Sequence, residues 1–301
     1  MSSPAPLDAP PASDPSAAIP VDPNGGLTAL RAELDSIDDT LHDTLIRRAA
    51  VVERVARSGK ASAYRPGREA AIIRRLLARH SGKLPPHTIV RIWRELLAGT
   101  TSMQGNFNIA VCQADAAAGF IQAAREHFGA LTPVRVHRSP AQAIAEVSAG
   151  TAAVAVLPMP SETEPPRAAW WTALLHRDSP RIHVVGRLPF WANRPEGAPS
   201  VQALVIAAAA PDASGRDNSL LGLELDLDVS RARLTAAVTA SGFVPGTVIL
   251  RRDSGAQVAR ALVEVEGYLT EDDARLVGIA TALQPPVILG SYAVPESWGA
   301  A

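Results

Sequence analysis

The stretch that decides the N-terminal fold is LRAELDSIDDTLHDTLIRRAAVVERVARSG, residues 30–59. Its apolar residues recur at steps of three and four or their sums, as one face of a helix requires. They are Leu30, Leu34, Ile37, Leu41, Leu45, Val52 and Val55. Thr28 suits the N-cap and Ser58-Gly59 the stop, which predicts a helix about 45 Å long. A helix of this length with one apolar seam needs a partner to cover that seam.

Two shorter helices follow. Pro66 and Pro85-Pro86 each suit a first helical turn. The second helix is expected to end near Ser81-Gly82 and the third at about Gln104. Residues 27–105 are therefore predicted to be a three-helix domain, and residues 1–26, rich in Ser, Ala, Pro and Asp, a disordered tail.

The pattern changes after Phe107 to alternating strands and helices, which predicts a multidomain protein of α plus α/β class. Residues 106–215 are expected to form an α/β domain with a parallel sheet, and residues 216–301 an α+β module. The expected strands are 108–112, 134–137, 152–157, 182–188, 219–227, 247–251 and 258–266. One helix is expected to end at Phe128, and three more are expected at 140–149, 230–241 and 271–282.

Composition narrows the class of protein. The formal net charge of -1 over 301 residues offers no bulk attraction to nucleic acid or to an anionic membrane. Cys112 is the single cysteine, so an internal disulfide is impossible and a cysteine-based zinc site is implausible. No apolar run reaches the length of a membrane span, and the N-terminus lacks a secretory signal, so we expect a cytoplasmic protein.

Two arginines on the first helix suggest a site shared between subunits. Arg31 and Arg48 are 17 residues apart, about 25 Å along a straight helix. They cannot both bind one small ligand from the same chain, so a common site would take one of them from a second subunit. The alternative is that both are solvated, as arginines on long helices often are.

The third helix carries a second polar pair. Thr100 and Gln104 continue the apolar stripe of Trp93 and Leu97, and are stacked four residues apart. Polar groups on an inward stripe need hydrogen-bond partners, which a bound polar ligand would supply. The alternative is that the helix has left the core at this point and faces water.

Charged residues near the second helix complete the set. Arg68 and Glu69 lie in its first turn, and Lys60 lies in the loop before it. A glutamate there could simply favour the helix dipole. Together with the arginines of the first helix and the polar pair of the third, these groups suit a small dianion that bears a hydroxyl.

Three segments carry a family resemblance: LRAELDSIDDTLHDTLIRRAAVV, YRPGREAAIIRRL and IVRIWRELLAGTTSMQ. They resemble the all-helical chorismate mutases, over roughly residues 27–105. The resemblance implies an intertwined homodimer of six helices that converts chorismate to prephenate. That rearrangement is unimolecular and pericyclic, so the resemblance implies no cofactor and no metal.

The resemblance also implies roles for seven residues. Arg31 would be the arginine supplied by the neighbouring subunit and Arg48 the carboxylate-binding arginine of the same chain. Glu69 would accept the ring hydroxyl, with Arg68 as a supporting cation. Thr100 stands where the family often has serine, and Gln104 would donate to the ether oxygen. The family lysine falls at Gly59 in strict register, with Lys60 one position later, and an acidic family position is Arg65 here.

The remaining two thirds resemble a degenerate prephenate dehydratase followed by an ACT-like module. NIAVCQADAAAG, AVAVLPMPSETE and VQALVIA resemble dehydratase motifs, and NSLLGLELDLDVSRARL, ALVEVEGYL and VILGSYAVP resemble ACT strands and helix and the closing segment. The functional residues of the dehydratase motifs are replaced by Gln113-Ala114, Met159-Pro160 and Gln202-Ala203. The second lobe is also too short. The alternatives to a chorismate mutase are a bifunctional mutase–dehydratase and a non-catalytic pseudoenzyme or sensor. Isochorismate pyruvate lyase activity on the same scaffold also stays open.

Overall fold

A computed structural model describes residues 23–58, 64–115, 119–176 and 179–297. The chain divides into two compact units, of which the first ends at Arg54 and the second comprises Val55–Ala301. The two units are described separately below.

A single long helix makes up the described part of the first unit. Helix α1 spans Pro23–Arg57, 35 residues, and its last turn belongs to the second unit. It begins at Pro23 rather than at Thr28, since proline is tolerated in the first turn of a helix. Its apolar stripe is exposed: Leu30, Leu34 and Leu41 each keep more than half of their surface accessible.

Two helices open the second unit. Helix α2 spans Pro66–Arg79 and α3 spans Pro86–Ser102, close to the predicted bounds. They pack on each other through Ile73, Leu77, Val90 and Leu97, in a cluster that also contains Phe190 and Trp191.

The described residues after α3 contain nine strands and three further α-helices. The strands are β1 Ile109–Cys112, β2 Val134–His137, β3 Val154–Pro158, β4 His183–Leu188, β5 Ala203–Ala207, β6 Asp217–Leu225, β7 Pro245–Arg251, β8 Ala259–Glu266 and β9 Val287–Ala293. The helices are α4 Phe120–Phe128, α5 Pro140–Ser148 and α6 Arg231–Ala240, with 3₁₀ helices at Pro166–Ala168, Trp170–Leu175 and Ala274–Gly278. The prediction of a helical N-terminal region followed by an α/β region is confirmed.

All nine strands join one mixed sheet, in the order β2-β1-β3-β5-β4-β9-β6-β8-β7. The β1–β2 and β1–β3 pairs are parallel, as predicted, whereas β5 pairs antiparallel with both β3 and β4. Strand β9 pairs parallel with β4 at Val184 and Gly290 and antiparallel with β6. The last strand therefore joins residues 106–215 and 216–301 into one sheet.

Strand β1 shows how the sheet is covered on both faces. Successive side chains of a strand point to opposite faces. Accordingly, Ala110 and Cys112 belong to the cluster that contains helix α5, whereas Ile109 and Val111 belong to the cluster that contains helix α4. Continuous apolar strands of this kind are typical of a sheet buried on both sides.

One predicted helix is wrong. Residues 271–282 were expected to be helical, but only a 3₁₀ turn at Ala274–Gly278 forms. Leu276 and Ile279 are buried, whereas Val277 between them is 80% exposed. Gly278 lies in the middle of the segment, where glycine disfavours a continuous helix.

None of the helices in the described residues combines the length and the apolar composition that a membrane span requires.

Candidate active site

The start of helix α2 is held by an aspartate distant in sequence. The backbone N–H groups of Gly67 and Arg68 donate to Asp212 Oδ1 and Oδ2 at 2.9 and 3.1 Å. A carboxylate here satisfies donors that have no partner within the helix and lies at the positive end of its dipole. Gly67 is required because a Cβ there would lie 2.1 Å from the backbone oxygen of Asp212. This contact fixes where Arg68 and Glu69 lie.

Glu69 forms a buried ion pair. Its Oε2 accepts a hydrogen bond from Arg94 Nη1 at 3.0 Å, and the two residues are 9% and 4% exposed. Arg94 Nη1 also lies 3.4 Å from His127 Nε2, and the Arg94 guanidinium carbon lies 4.7 Å from the centre of the Phe190 ring. Arg68, the neighbouring predicted residue, is exposed.

Burial controls the electrostatics of this cluster. Desolvation raises the pKa of Glu69 to about 7, while the positive charge of Arg94 opposes the rise and Asp212 adds to it. Desolvation lowers the pKa of Arg94, with Glu69 opposing. Desolvation and then Arg94 hold the pKa of His127 well below its ordinary value. His127 is therefore neutral near pH 7, and its Nε2 is an acceptor for Arg94.

Thr100 and Gln104 obtain partners from their own helix. Thr100 is buried, and its hydroxyl donates to the backbone oxygens of Leu96 and Leu97 at 2.9 and 3.1 Å. Gln104 Nε2 donates to the Thr100 backbone oxygen at 3.1 Å. Thr100 therefore lies inward, which is one of the two alternatives that the sequence left open. Within one chain, carbonyls of the same helix supply its hydrogen bonds.

The two arginines of helix α1 differ in exposure. Arg31 is exposed, whereas Arg48 is half-buried, and desolvation lowers its pKa. Lys60 lies outside the described residues. The structure thus brings Thr100 together with Gln104 and pairs Glu69 with Arg94. A common site for all seven predicted residues stays a prediction.

Sequence reasoning missed Arg94 and Asp212. Arg94 had a readable signal, since the buried positions Val90, Arg94, Leu97 and Thr101 follow at steps of four, three and four. An arginine in register with core positions indicates a buried partner of opposite charge. Asp212 had no such signal, because 145 residues separate it from Gly67. Among the described residues, no group of three or more His, Cys, Asp or Glu side chains could hold a metal ion.

Comparison with known proteins places this geometry in context. Residues 30–105 match the family model described as chorismate mutase type II. The chain is similar to the bifunctional chorismate mutase/prephenate dehydratases of Stutzerimonas stutzeri and Pseudomonas aeruginosa, at 29% identity over 147 residues in each case. The aligned part is 46% of this chain, and the chain spans 40% of the length of either relative. A solved prephenate dehydratase from Streptococcus mutans covers 64% of this chain and all of its own, at 15% identity and a TM-score of 0.46.

Proposed function

We propose that this protein is a chorismate mutase that converts chorismate to prephenate as a homodimer. The observation that carries the proposal is the match of residues 30–105 to the chorismate mutase type II model. That span contains all seven residues that the sequence assigned to the site. They are Arg31, Arg48, Lys60, Arg68, Glu69, Thr100 and Gln104.

The proposed chemistry is positioning and electrostatic stabilisation. Arg31 of one subunit and Arg48 of the other bind the two carboxylates and hold the substrate in its compact conformer. Lys60 and Gln104 stabilise the negative charge that grows on the ether oxygen. The chain's own groups then need to provide neither a nucleophile nor an acid–base pair, because the rearrangement is unimolecular.

The remaining three residues have supporting roles in the proposal. Glu69 accepts the hydrogen bond of the ring hydroxyl, Arg68 adds positive charge beside it, and the Thr100 hydroxyl faces the substrate. Two hydrogen bonds of the single chain must then change. Glu69 shares its carboxylate between Arg94 and the substrate, and Gln104 Nε2 exchanges the Thr100 backbone oxygen for the ether oxygen.

The exposed seam of helix α1 supports the homodimer. Leu30, Leu34, Ile37, Leu41 and Leu45 are 58, 59, 48, 57 and 43% exposed, at successive steps of four, three, four and four. A continuous apolar stripe of this length is a surface that favours association. In the proposed dimer a second copy of α1 covers this stripe and places Arg31 of one chain next to Arg48 of its partner. Within one chain the two arginines are about 25 Å apart.

The similarity to bifunctional proteins supports a second candidate. Both relatives carry the name chorismate mutase/prephenate dehydratase, and the second unit contains an α/β sheet. We do not expect this chain to dehydrate prephenate, because the functional residues of the dehydratase motifs are replaced by Gln113-Ala114, Met159-Pro160 and Gln202-Ala203. We therefore propose the mutase alone, with the C-terminal part acting in stability, dimerisation or partner contact. The lone cysteine is consistent with a reducing cytoplasm.

The test is the loss of chorismate with the purified full chain, with the products identified by chromatography. Prephenate alone supports the mutase, phenylpyruvate supports the bifunctional candidate, and substrate binding without turnover supports a pseudoenzyme or sensor. Pyruvate from isochorismate would reveal the lyase.

Two variants assign the activity to the proposed site. Gln104→Ala and Arg48→Ala are each expected to lower kcat by about 10²–10³-fold with the helical circular dichroism unchanged. The matched control is Arg47→Ala, since Arg47 is the adjacent, exposed arginine of the same helix. Near-normal turnover in Arg48→Ala, or an equal loss in Arg47→Ala, would refute the assignment.

A further inference from the structure

A cavity of about 480 Å³ lies on a different side of helix α3 from Thr100 and Gln104. It is formed by α3, by α4 and by residues 189–199. On α3 it is lined by Val90, Glu95 and a row of three basic residues, His87, Arg91 and Arg94, at steps of four and three. That row is offset around the helix from Trp93, Thr100 and Gln104. The volume is typical of sites for small molecules.

Positive charge dominates the lining, from Arg91, Arg94, Arg125 and Arg194. The two acidic residues of the cavity are already engaged. Arg194 binds Glu126 through both Nη atoms, at 2.5 and 2.6 Å, and Glu95 Oε1 accepts the backbone N–H of Ala130 at 3.0 Å.

Two of these four arginines have exposed side chains that are available to a ligand. Arg91 and Arg125 are exposed and have no ion pair with any described residue. The cavity therefore presents more positive than negative charge to whatever enters it.

Arg94 has unused hydrogen-bonding capacity. Its side chain is 5% exposed, yet only Nη1 has partners, in Glu69 and His127. Within the described residues, Nε and Nη2 have no hydrogen-bond acceptor. A guanidinium carries five N–H donors in a planar fork that matches a carboxylate. A buried arginine that lines a cavity with part of its fork unused is suited to bind an anion.

Part of the cavity lining is apolar. Phe190, Trp191 and Val90 line it and are 5, 8 and 5% exposed overall. The Phe190 ring contacts Arg94, whose guanidinium carbon lies 4.7 Å from the ring centre. Aromatic side chains favour offset or edge-on contact with a second ring.

We propose that this cavity binds a small aromatic carboxylate. The carboxylate accepts hydrogen bonds from Nε and Nη2 of Arg94, Arg91 and Arg125 add positive charge at the mouth, and the aromatic ring packs against Trp191. The site is separate from the seven residues of the proposed mutase site, apart from Glu69, which shares Arg94. Its occupancy can therefore be measured by binding alone, without any turnover of chorismate.

The test is isothermal titration calorimetry of the full chain with phenylacetate as the probe. Phenylacetamide keeps the ring without the charge, and acetate keeps the charge without the ring. We expect phenylacetate to bind at least about tenfold more tightly than either, since a hydrogen-bonded charged group and a buried ring each contribute more than about 1.4 kcal/mol. Absence of binding by phenylacetate, or equal binding of phenylacetamide, would overturn the proposal.

Three variants assign the binding to this cavity. Arg94→Lys keeps the charge beside Glu69 but removes the planar fork, Arg91→Gln removes charge at an exposed position, and Ala130→Trp fills the mouth from an exposed residue. Each is expected to weaken phenylacetate binding about tenfold. Arg79→Gln, exposed at the end of α2 and outside the cavity lining, is the control. If Arg94→Lys fails to fold, the two exposed variants decide, and unchanged binding in both would overturn the proposal.

Discussion

Glu69 and Arg94 form a buried ion pair between helices α2 and α3, with Oε2 and Nη1 3.0 Å apart. The pair joins the two helices at a point where both side chains are excluded from water. Removing two charges from water costs more than a single hydrogen bond returns. The pair therefore makes the protein sensitive to pH.

The free energy of unfolding is expected to fall as the pH rises from about 4.5 to about 7. Burial raises the pKa of Glu69 from 4.5 to about 7, so the folded state binds this proton more tightly than the unfolded state. This contribution to stability is complete below the unfolded pKa and is lost as the pH rises through the folded one. The expected loss is on the order of 3 kcal/mol, measured by urea unfolding across that range.

Glu69→Gln tests the origin of this pH dependence. Glutamine mimics the protonated acid, so the variant is expected to lose the slope and to be more stable than the wild-type protein at pH 8. Glu196→Gln, at an exposed position, is the control and should keep the wild-type slope. A slope that persists in Glu69→Gln would show that another group is responsible.

Asp212→Ala is expected to destabilise the fold by about 1–2 kcal/mol, because Gly67 and Arg68 lose the acceptor of their backbone N–H groups. The stability of Asp212→Asn, which keeps one side-chain oxygen, should lie between those of the wild-type protein and Asp212→Ala. Urea unfolding monitored by circular dichroism measures the difference. Asp228→Ala removes an exposed aspartate and should stay within about 0.5 kcal/mol of the wild-type protein. Equal stabilities of Asp212→Ala and Asp228→Ala would contradict the role of Asp212.

Leu41→Lys is expected to weaken the proposed dimer at least about thirtyfold, because it places a charge in the middle of the apolar seam of α1. Sedimentation equilibrium measures the dissociation constant. Asp39→Lys adds a lysine two residues away, on the opposite side of the helix, and should leave the dimer intact. A monomeric wild-type protein, or dissociation by both variants alike, would rule out the seam as the interface.

The order and type of most elements could be predicted from the sequence, because they depend on local periodicity. Strand β2 has the predicted bounds, 134–137, and the 3.6-residue pattern that predicted the first helix also revealed the exposed seam of α1. The failure at 271–282 has a local cause too. Gly278 disfavours a continuous helix there, and Leu276 and Ile279 pack into the core from a 3₁₀ turn.

Contacts between distant parts of the chain could not be predicted in this way. Strand β9 pairs with both β4 and β6, and this pairing depends on register. Gly290 is needed there because it has no Cβ, and a Cβ would lie 2.0 Å from the Val184 backbone oxygen. The same holds at the site. Glu69 was expected to face a substrate, but its partner in the single chain, Arg94, is 25 residues away.

The central claim is that each site takes Arg31 from one subunit and Arg48 from the other. The most direct test mixes two inactive variants, Arg31→Ala and Arg48→Ala, by co-refolding and measures chorismate mutase activity. Random pairing makes half of the dimers mixed, and each mixed dimer has one site with both arginines, so about a quarter of the wild-type activity should return. If the mixed dimers form and activity stays at the level of the separate variants, the shared site is contradicted.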